Sequence, residues 1–458
     1  MPLNNTKSVI RNPNSQIAII ALGSRGDVQP FVALGLGLRA AGHQVRIAAA
    51  ADYGPLVEAY GLEFARLGGS IRELMDWGLV YDILDAPSNP LRFGKRMFDA
   101  LRPLVSRLVA DCYKACAGAD MLVASTLGVY IAYDVAQEMD VPLYAAHMHP
   151  YGPTRAYPQV FFPELPHWVP LRGRYNRLTH WLTEAGFWYF LASGLNEARR
   201  ETLALPPISR TAMLRRATET TGPTLLAYSP VVAPRPRDWP SHVQVTGYWF
   251  VDRAPGWQPP QHLVDFLASG PPPIYVSFGS NLAGRHPDEV TRLMVKALRQ
   301  AGVRGILSSA WGDLGNIDLP EGVLKVGPMP HDWLFPRVSA VVHHGGAGTT
   351  AAALRAGIPS VVVPFFGDQR FWARRVHSLG AAPTPIPRPQ LTANRLAQAI
   401  RTATCNPAMK QRAVWLGKHL EKENGVARAI EALGLNTPCE LRITNYELRE
   451  APTVIRNL

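Results

Sequence analysis

Three observations predict an α/β protein built from two doubly wound, parallel-sheet domains. The first is the order of elements at the start. Gln16–Leu22 (QIAIIAL) reads as a strand, GSRGDVQP as a loop, Phe31–Ala41 as an apolar-periodic helix and Val45–Ala50 as a second strand. Strands joined through a helix pair in parallel. The second is a repeat of that order later in the chain. Pro273–Ser277, Gly305–Ser308, Val323–Val326, Ala340–Val342 and Ser360–Val363 read as strands, with helices expected over Pro287–Ala301 and Thr350–Ala356. The third is a change of texture over Tyr228–Pro260, where proline and tryptophan are dense and helical periodicity is lost. With 458 residues the chain exceeds what one core usually holds. The expected domains are therefore a disordered tail over 1–15, a first domain over 16–227, a connection over 228–260, a second domain over 261–433 whose last helix packs back on the first, and a tail over 434–458.

The remaining elements fill this frame. Met121–Ser125 and Val141–Ala146 read as strands around a helix at Ile131–Glu138, and 66–101 reads as loops and short helices. The stretch from His147 to Pro166 (HMHPYGPTRAYPQVFFPELP) is rich in histidine, proline and aromatics. A helix over Leu171–Arg200 then carries Trp181, Phe187, Trp188, Tyr189 and Phe190. Such a cluster is either core or the mouth of a site for a hydrophobic ligand, and an exposed part of it suits a membrane surface. His147, His149, Phe187 and Phe190 are its candidate acceptor-binding residues. Leu391–Thr404 and Met409–Leu433 read as helices.

Composition narrows the function classes. Lys and Arg number 47 and Asp and Glu 35, a net charge of +12. The surplus is either a solvated basic surface or an attraction for phosphorylated ligands and anionic membranes. No basic run interleaves with aromatics, so nucleic acid is not an expected partner. Four cysteines, with Cys112 and Cys116 on one helix face, make neither a disulfide framework nor a zinc knuckle. Residues 1–15 are polar and do not read as a signal peptide, and no apolar run reaches the ~20 residues that span a bilayer. A cytoplasmic protein, with at most peripheral membrane contact, is expected.

The most informative stretch is SAVVHHGGAGTTAAALRAGIPSVVVPFFGDQRFW, Ser339–Trp372. Its glycine-rich turn lies between the end of a strand and the start of a helix. Free N–H groups and the helix dipole there favour an anion, and glycines let the backbone approach it. His344 can add a ring N–H and Thr349 and Thr350 hydroxyls. Beyond the next strand, Asp368 and Gln369 suit sugar hydroxyls, although Asp368 also suits a helix cap. A phosphate cradle beside a hydroxyl reader points to a nucleotide sugar. In the first domain, Asp27 also suits an N-cap, and Arg25 either reaches a phosphate or stays an exposed loop residue.

GSRGDVQP, SPVVAPRPRDWPSHVQVTGYW and HDWLFPRVSAVVHHGGAGTTAAALRAGIPSVVVPFFGDQRFWARRV together resemble the inverting, nucleotide-sugar-dependent glycosyltransferases of the GT-B fold. Within them the chain is most similar to the sterol glucosyltransferase and antibiotic glycosyltransferase branch, from Gln16 to about Leu433. The resemblance implies two facing Rossmann-like domains with a cleft between them. It implies donor diphosphate contacts at His344, Gly346, Gly348 and Thr349, sugar contacts at Asp368 and Gln369, and a second phosphate-side loop with Ser280 as hydroxyl donor. Trp311 and Met329 fall in the base-binding region, and His331 where relatives carry a ribose-reading Gln. Plant relatives place a catalytic His in a G-H-x-x-P turn. Gly26-Asp27-Val28-Gln29-Pro30 has that frame with Asp in the base slot, as in the sterol and antibiotic branch. Asp27 is thus the implied general base, acting on an acceptor hydroxyl. The implied donor is UDP-glucose, the acceptor a sterol, lipid or polyketide, and neither metal nor other cofactor is required, since no Asp-x-Asp pair is present. A nucleotide-sugar epimerase of the same fold, or a non-catalytic nucleotide-sugar binder, are the competing readings. Gly23-Ser-Arg-Gly26 lacks the G-x-G-x-x-G spacing of a dinucleotide-dependent dehydrogenase. Near the end, ITNYELR resembles translated short repeat DNA of cyanobacterial genomes, a hint of bacterial origin.

Overall fold

The computed structural model describes residues 14–68, 105–209, 223–278, 287–308 and 317–435. Strands β1 Gln16–Ala21, β2 Gln44–Ala50, β3 Glu63–Leu67, β4 Met121–Ala124, β5 Leu143–His147, β6 Thr224–Leu226 and β7 Val243–Val245 form one sheet, ordered β3-β2-β1-β4-β5-β6-β7. Strands β8 Ile274–Ser277, β9 Gly305–Ser308, β10 Val323–Val326, β11 Ala340–His343 and β12 Ser360–Val362 form a second, ordered β10-β9-β8-β11-β12. Every pairing is parallel, and the central strands are apolar throughout because helices cover both faces.

In the first domain the helices are α1 Arg25–Ala40, α2 Gly54–Glu58, α3 over 105–115, α4 Gly128–Met139 and α5 Arg172–Glu201. In the second they are α6 Gln261–Ala268, α7 Pro287–Ala301, α8 His331–Leu334, α9 Ala347–Arg355, α10 Gln369–Ser378, α11 Ala393–Cys405, α12 Pro407–Leu420 and α13 Gly425–Ala432. Strand order reverses direction between β1 and β4 and again between β8 and β11. Ligands of open α/β sheets bind at such switch points, beyond the carboxyl ends of the strands. The loops after β1, β11 and β12, which lead to Asp27, His344 and Asp368, lie at or beside them.

Several expected boundaries move. Helix α1 starts at Arg25 rather than Phe31, so most of GSRGDVQP is its first two turns. The stretch expected to connect the domains contributes β7, the edge strand of the first sheet, and buries Tyr228, Trp239 and Trp249. Such three-residue strands are too short to carry a period. The single helix expected over Met409–Leu433 is two, because Asn424 caps α13 by accepting from Ala427 N at 3.0 Å. Helix α13 crosses to the first domain. Ala429, Ile430 and Leu433 share a core with Phe31, Leu34 and Leu38 of α1, and Leu435, placed in the expected tail, is buried there too. Gly37 permits this approach, since a Cβ there would lie 2.3 Å from Val426 Cγ1. A further core, around Tyr228, Trp239, Leu354 and Trp372, joins both domains at the base of the cleft.

Candidate active site

The second domain supplies one wall. After β11 the chain turns at Gly345 with φ +90°, where a Cβ would also meet Val362 Cγ1 and the Gln369 carbonyl oxygen at 2.9 Å. His343 is buried at the strand end, and its Nδ1 accepts from Gly345 N at 3.1 Å, which holds the turn. The ring of His344 lies over Gly346, for a Cβ on Gly346 would fall 2.4 Å from His344 Nε2. Gly346 caps α9 without a side chain, so N–H groups of the first turn are open to a ligand. Two polar atoms beside them, His344 Nδ1 and Thr350 Oγ1, are buried without a hydrogen-bond partner. Burial pulls the His344 imidazole down to about 4, so it is neutral at pH 7 and offers one N–H.

Asp368 occupies the cap position of α10, but its side chain makes no capping bond. Its Oδ2 accepts from Trp372 Nε1 at 3.0 Å instead, and burial pushes the carboxyl up to about 6. The neighbouring Gln369 is buried with its amide oxygen turned to the backbone, accepting from Phe365 N at 2.8 Å and Phe366 N at 3.2 Å. That amide oxygen shapes the loop, and only the NH2 end is left for a sugar. The β12–α10 loop needs this brace because its N–H groups have left the sheet.

The first domain supplies the facing wall. Asp27 lies in the first turn of α1, half-buried, and its Oδ2 accepts from Ser24 N at 2.7 Å and Ser24 Oγ at 2.9 Å. The N-cap is therefore Ser24, and Asp27 is the N3 partner of a capping box rather than the cap itself. Burial raises the Asp27 pKa, the Ser24 hydrogen bonds oppose this, and the charge of Asp368 across the cleft adds to the rise. The two helix starts converge: a methyl group on Gly348 of α9 would lie 3.9 Å from the Cα of Gly26 of α1. Arg25 donates from Nε to Gln29 Oε1 at 3.1 Å, and its positive charge acts on His331 in the other domain. Burial, then that cation, hold His331 at about 3, and its ring stacks on Phe335 at 4.2 Å. Met329 packs its side chain on the core around Val326 and Trp333. Ser280 and Trp311 lie outside the described residues.

The aromatic segment divides. His149 is close enough to Asp27 for that carboxylate to pull its pKa upward, although burial dominates and leaves it at about 4. His147 is buried, with Nδ1 2.9 Å from Thr126 Oγ1 and its ring stacked 3.8 Å from Tyr151. Phe187 stacks on Tyr130 at 5.2 Å and lies 6.5 Å from Phe161, which reaches Gly367 beside Asp368. Phe190 departs from expectation: it is 39% exposed, packed edge-on against Tyr189, because its position on α5 turns away from the box. Sequence reasoning missed the centre of the box, Glu184. Its carboxylate accepts from Tyr151 Oη, Tyr130 Oη at 3.0 Å and Trp188 Nε1 at 3.1 Å, and burial raises its pKa. The available signal was a lone acid in the aromatic run from Leu178 to Ala192. Among the described residues no group of three or more His, Cys, Asp or Glu is arranged to hold a metal ion.

Comparison with known proteins accords with this geometry. Residues 17–156 match the glycosyltransferase family 28 N-terminal domain, and 308–426 the erythromycin biosynthesis protein CIII-like C-terminal domain. A sterol 3-beta-glucosyltransferase of Arabidopsis thaliana is 36% identical over 456 residues, covering 95% of this chain and 70% of that protein. This chain belongs to the sterol glucosyltransferase branch of the glycosyltransferases. A Pichia angusta sterol 3-beta-glucosyltransferase is 37% identical over 442 residues, 93% of this chain. The glycosyltransferase spans only 34% of that fungal relative's length. Its fold is that of the kitacinnamycin glycosyltransferase, with a TM-score of 0.66 at 20% identity, covering 93% of this chain and 100% of that one. The two facing parallel-sheet domains of this glycosyltransferase are the GT-B architecture.

Proposed function

We propose that the enzyme transfers glucose from UDP-glucose to the hydroxyl of a sterol-like acceptor, with inversion and with Asp27 as general base. The observation that carries this reading is the convergence of two helix starts, one bearing Asp27 and the other the His344 turn. The acceptor oxygen attacks the anomeric carbon as Asp27 takes its proton, and the bond from that carbon to the diphosphate breaks. The leaving diphosphate gains negative charge where α9 offers N–H groups and the neutral His344 donates. Attack from the α1 wall and departure toward the α9 wall are opposed, which inverts the anomeric centre. The raised pKa of Asp27 makes it a better base than an ordinary carboxylate. Asp368 orients the sugar through its hydroxyls. This chemistry calls on no metal, because helix dipole and imidazole meet the diphosphate.

The acceptor assignment draws on the names of the relatives, sterol 3-beta-glucosyltransferases, and on the aromatic box of Tyr130, Tyr151, Phe161 and Phe187. The test is incubation of the purified chain with UDP-glucose and a 3β-hydroxysterol, read by mass spectrometry and by the anomeric proton coupling of the product. A β-glucoside is expected. Donor hydrolysis or an epimerised donor without glycoside would overturn the proposal.

A further inference from the structure

The start of α5 carries an apolar surface that the acceptor box does not use. Of the eleven exposed large hydrophobic residues among those described, Trp168, Leu171, Leu178, Trp181 and Leu182 fall within one short stretch. Trp168 is 82% exposed. Leu178 and the Trp181–Leu182 pair stand at helical spacing on one face of α5, and Leu171 caps the helix just before them. The opposite face is already buried, with Asn176, Thr179 and His180 turned inward. A helix that packs one side on its own domain ordinarily shows polar residues on the other. Leu171 is also held at φ +60°, a left-handed conformation that asparagine or glycine adopts more readily. The backbone there accepts an unfavourable residue and displays it outward.

Charge identifies the occupant. From Leu165 to Thr183 there are three arginines, Arg172, Arg174 and Arg177, and no Asp or Glu. Arg155 adjoins Gly173, its Cβ 3.2 Å from where a Cβ on Gly173 would stand. Glu164, just before the stretch, pairs with Arg374 at 3.1 Å, Asp238 lies near Arg177, and Glu184 points into the aromatic box. Aromatic and aliphatic side chains ringed by cations match an anionic bilayer interface. No helix among the described residues is long and apolar enough to cross a membrane, so α5 would lie along the surface.

We infer that the Trp168–Leu182 face is a docking surface for anionic lipid bilayers. Docking stands apart from the catalytic proposal. Delivery of a membrane-dissolved acceptor through it rests on that proposal, since the inward side of α5 carries Glu184, Phe187 and Trp188 of the box.

Flotation of the full chain with phosphatidylcholine vesicles, with and without phosphatidylglycerol, tests this. Wild type is expected to float with the anionic vesicles, and less so in high salt. The triple variant Trp168→Ser, Leu178→Ser, Trp181→Ser should lose roughly tenfold or more in partitioning, and Arg174→Gln with Arg177→Gln should lose the preference for anionic lipid. These residues are exposed, so circular dichroism and melting should match wild type. Transfer to a cyclodextrin-carried sterol should be unchanged in the triple variant, while transfer to a vesicle-embedded sterol falls. Failure of wild type to float, or flotation indifferent to the triple variant, overturns the docking surface. So does a dimer in solution that the triple variant dissolves, because a second copy then owns the face. Absence of glycoside from either sterol source, with flotation intact, overturns the catalytic proposal alone.

Discussion

The two walls of the cleft are the same device used for opposite purposes. Each is a helix start following a central parallel strand, α1 after β1 and α9 after β11. On α1 the Asp27 carboxylate is held by Ser24 N and Ser24 Oγ, so the wall keeps a carboxylate of its own. On α9 the cap is Gly346, which has no side chain to spend, so the N–H groups and an unpartnered His344 Nδ1 are left for an anion from outside. Under the proposed mechanism, the helix start that holds an internal anion offers a base, and the one whose cap has no side chain offers a leaving-group site. One residue at the cap separates the two roles.

Exchanging the carboxylate for its amide breaks the comparison most severely. Asp27→Asn keeps the hydrogen-bond acceptor for Ser24 but cannot take a proton, so kcat is expected to fall by about 10²–10⁴-fold with donor KM little changed. Steady-state kinetics against UDP-glucose checks this, and near-normal kcat would reduce Asp27 to a cap. On the other wall, His344→Ala should weaken UDP binding by roughly tenfold, seen by calorimetry, at the cost of one hydrogen bond to a charged group. Unchanged affinity there would remove His344 from the site.

A subtler test sharpens how the walls speak to each other. Because burial and Asp368 raise the Asp27 pKa, the acid limb of kcat/KM should lie above the ordinary carboxylate range, with activity lost as pH falls through it. Asp368→Asn removes the repelling charge, so the limb should move to lower pH, whatever the variant does to sugar binding. A pH–rate profile of wild type and variant reads the shift, and a limb that stays in place would show that Asp368 does not act on Asp27.

How much of this was legible beforehand differs from residue to residue. The turn that carries His344, Gly346 and Thr349 was readable because its pattern is local, a strand, a glycine turn and a helix within a few positions. Asp27 was picked out by its frame, but the start of α1 was placed six residues late, since GSRGDVQP reads as a loop. Gln369 was assigned to sugar hydroxyls from its type and the family resemblance, and the backbone of Phe365 and Phe366 claims its amide oxygen. Phe187 and Phe190 were indistinguishable in sequence, although one turns into the box and the other to solvent.

By itself the sequence determined the two-sheet α/β architecture and the glycine turn between β11 and α9, because each is written in the periodicity and turn chemistry of one short segment. Only the tertiary structure decided what those segments face. Asp27 meets the charge of Asp368 from the other domain. Glu184 gains its role from Tyr151 and Tyr130, 33 and 54 positions away. The outward face of α5 becomes a surface only once its other side is packed. Distances across the fold depend on how helices and sheets pack, and no local pattern encodes them.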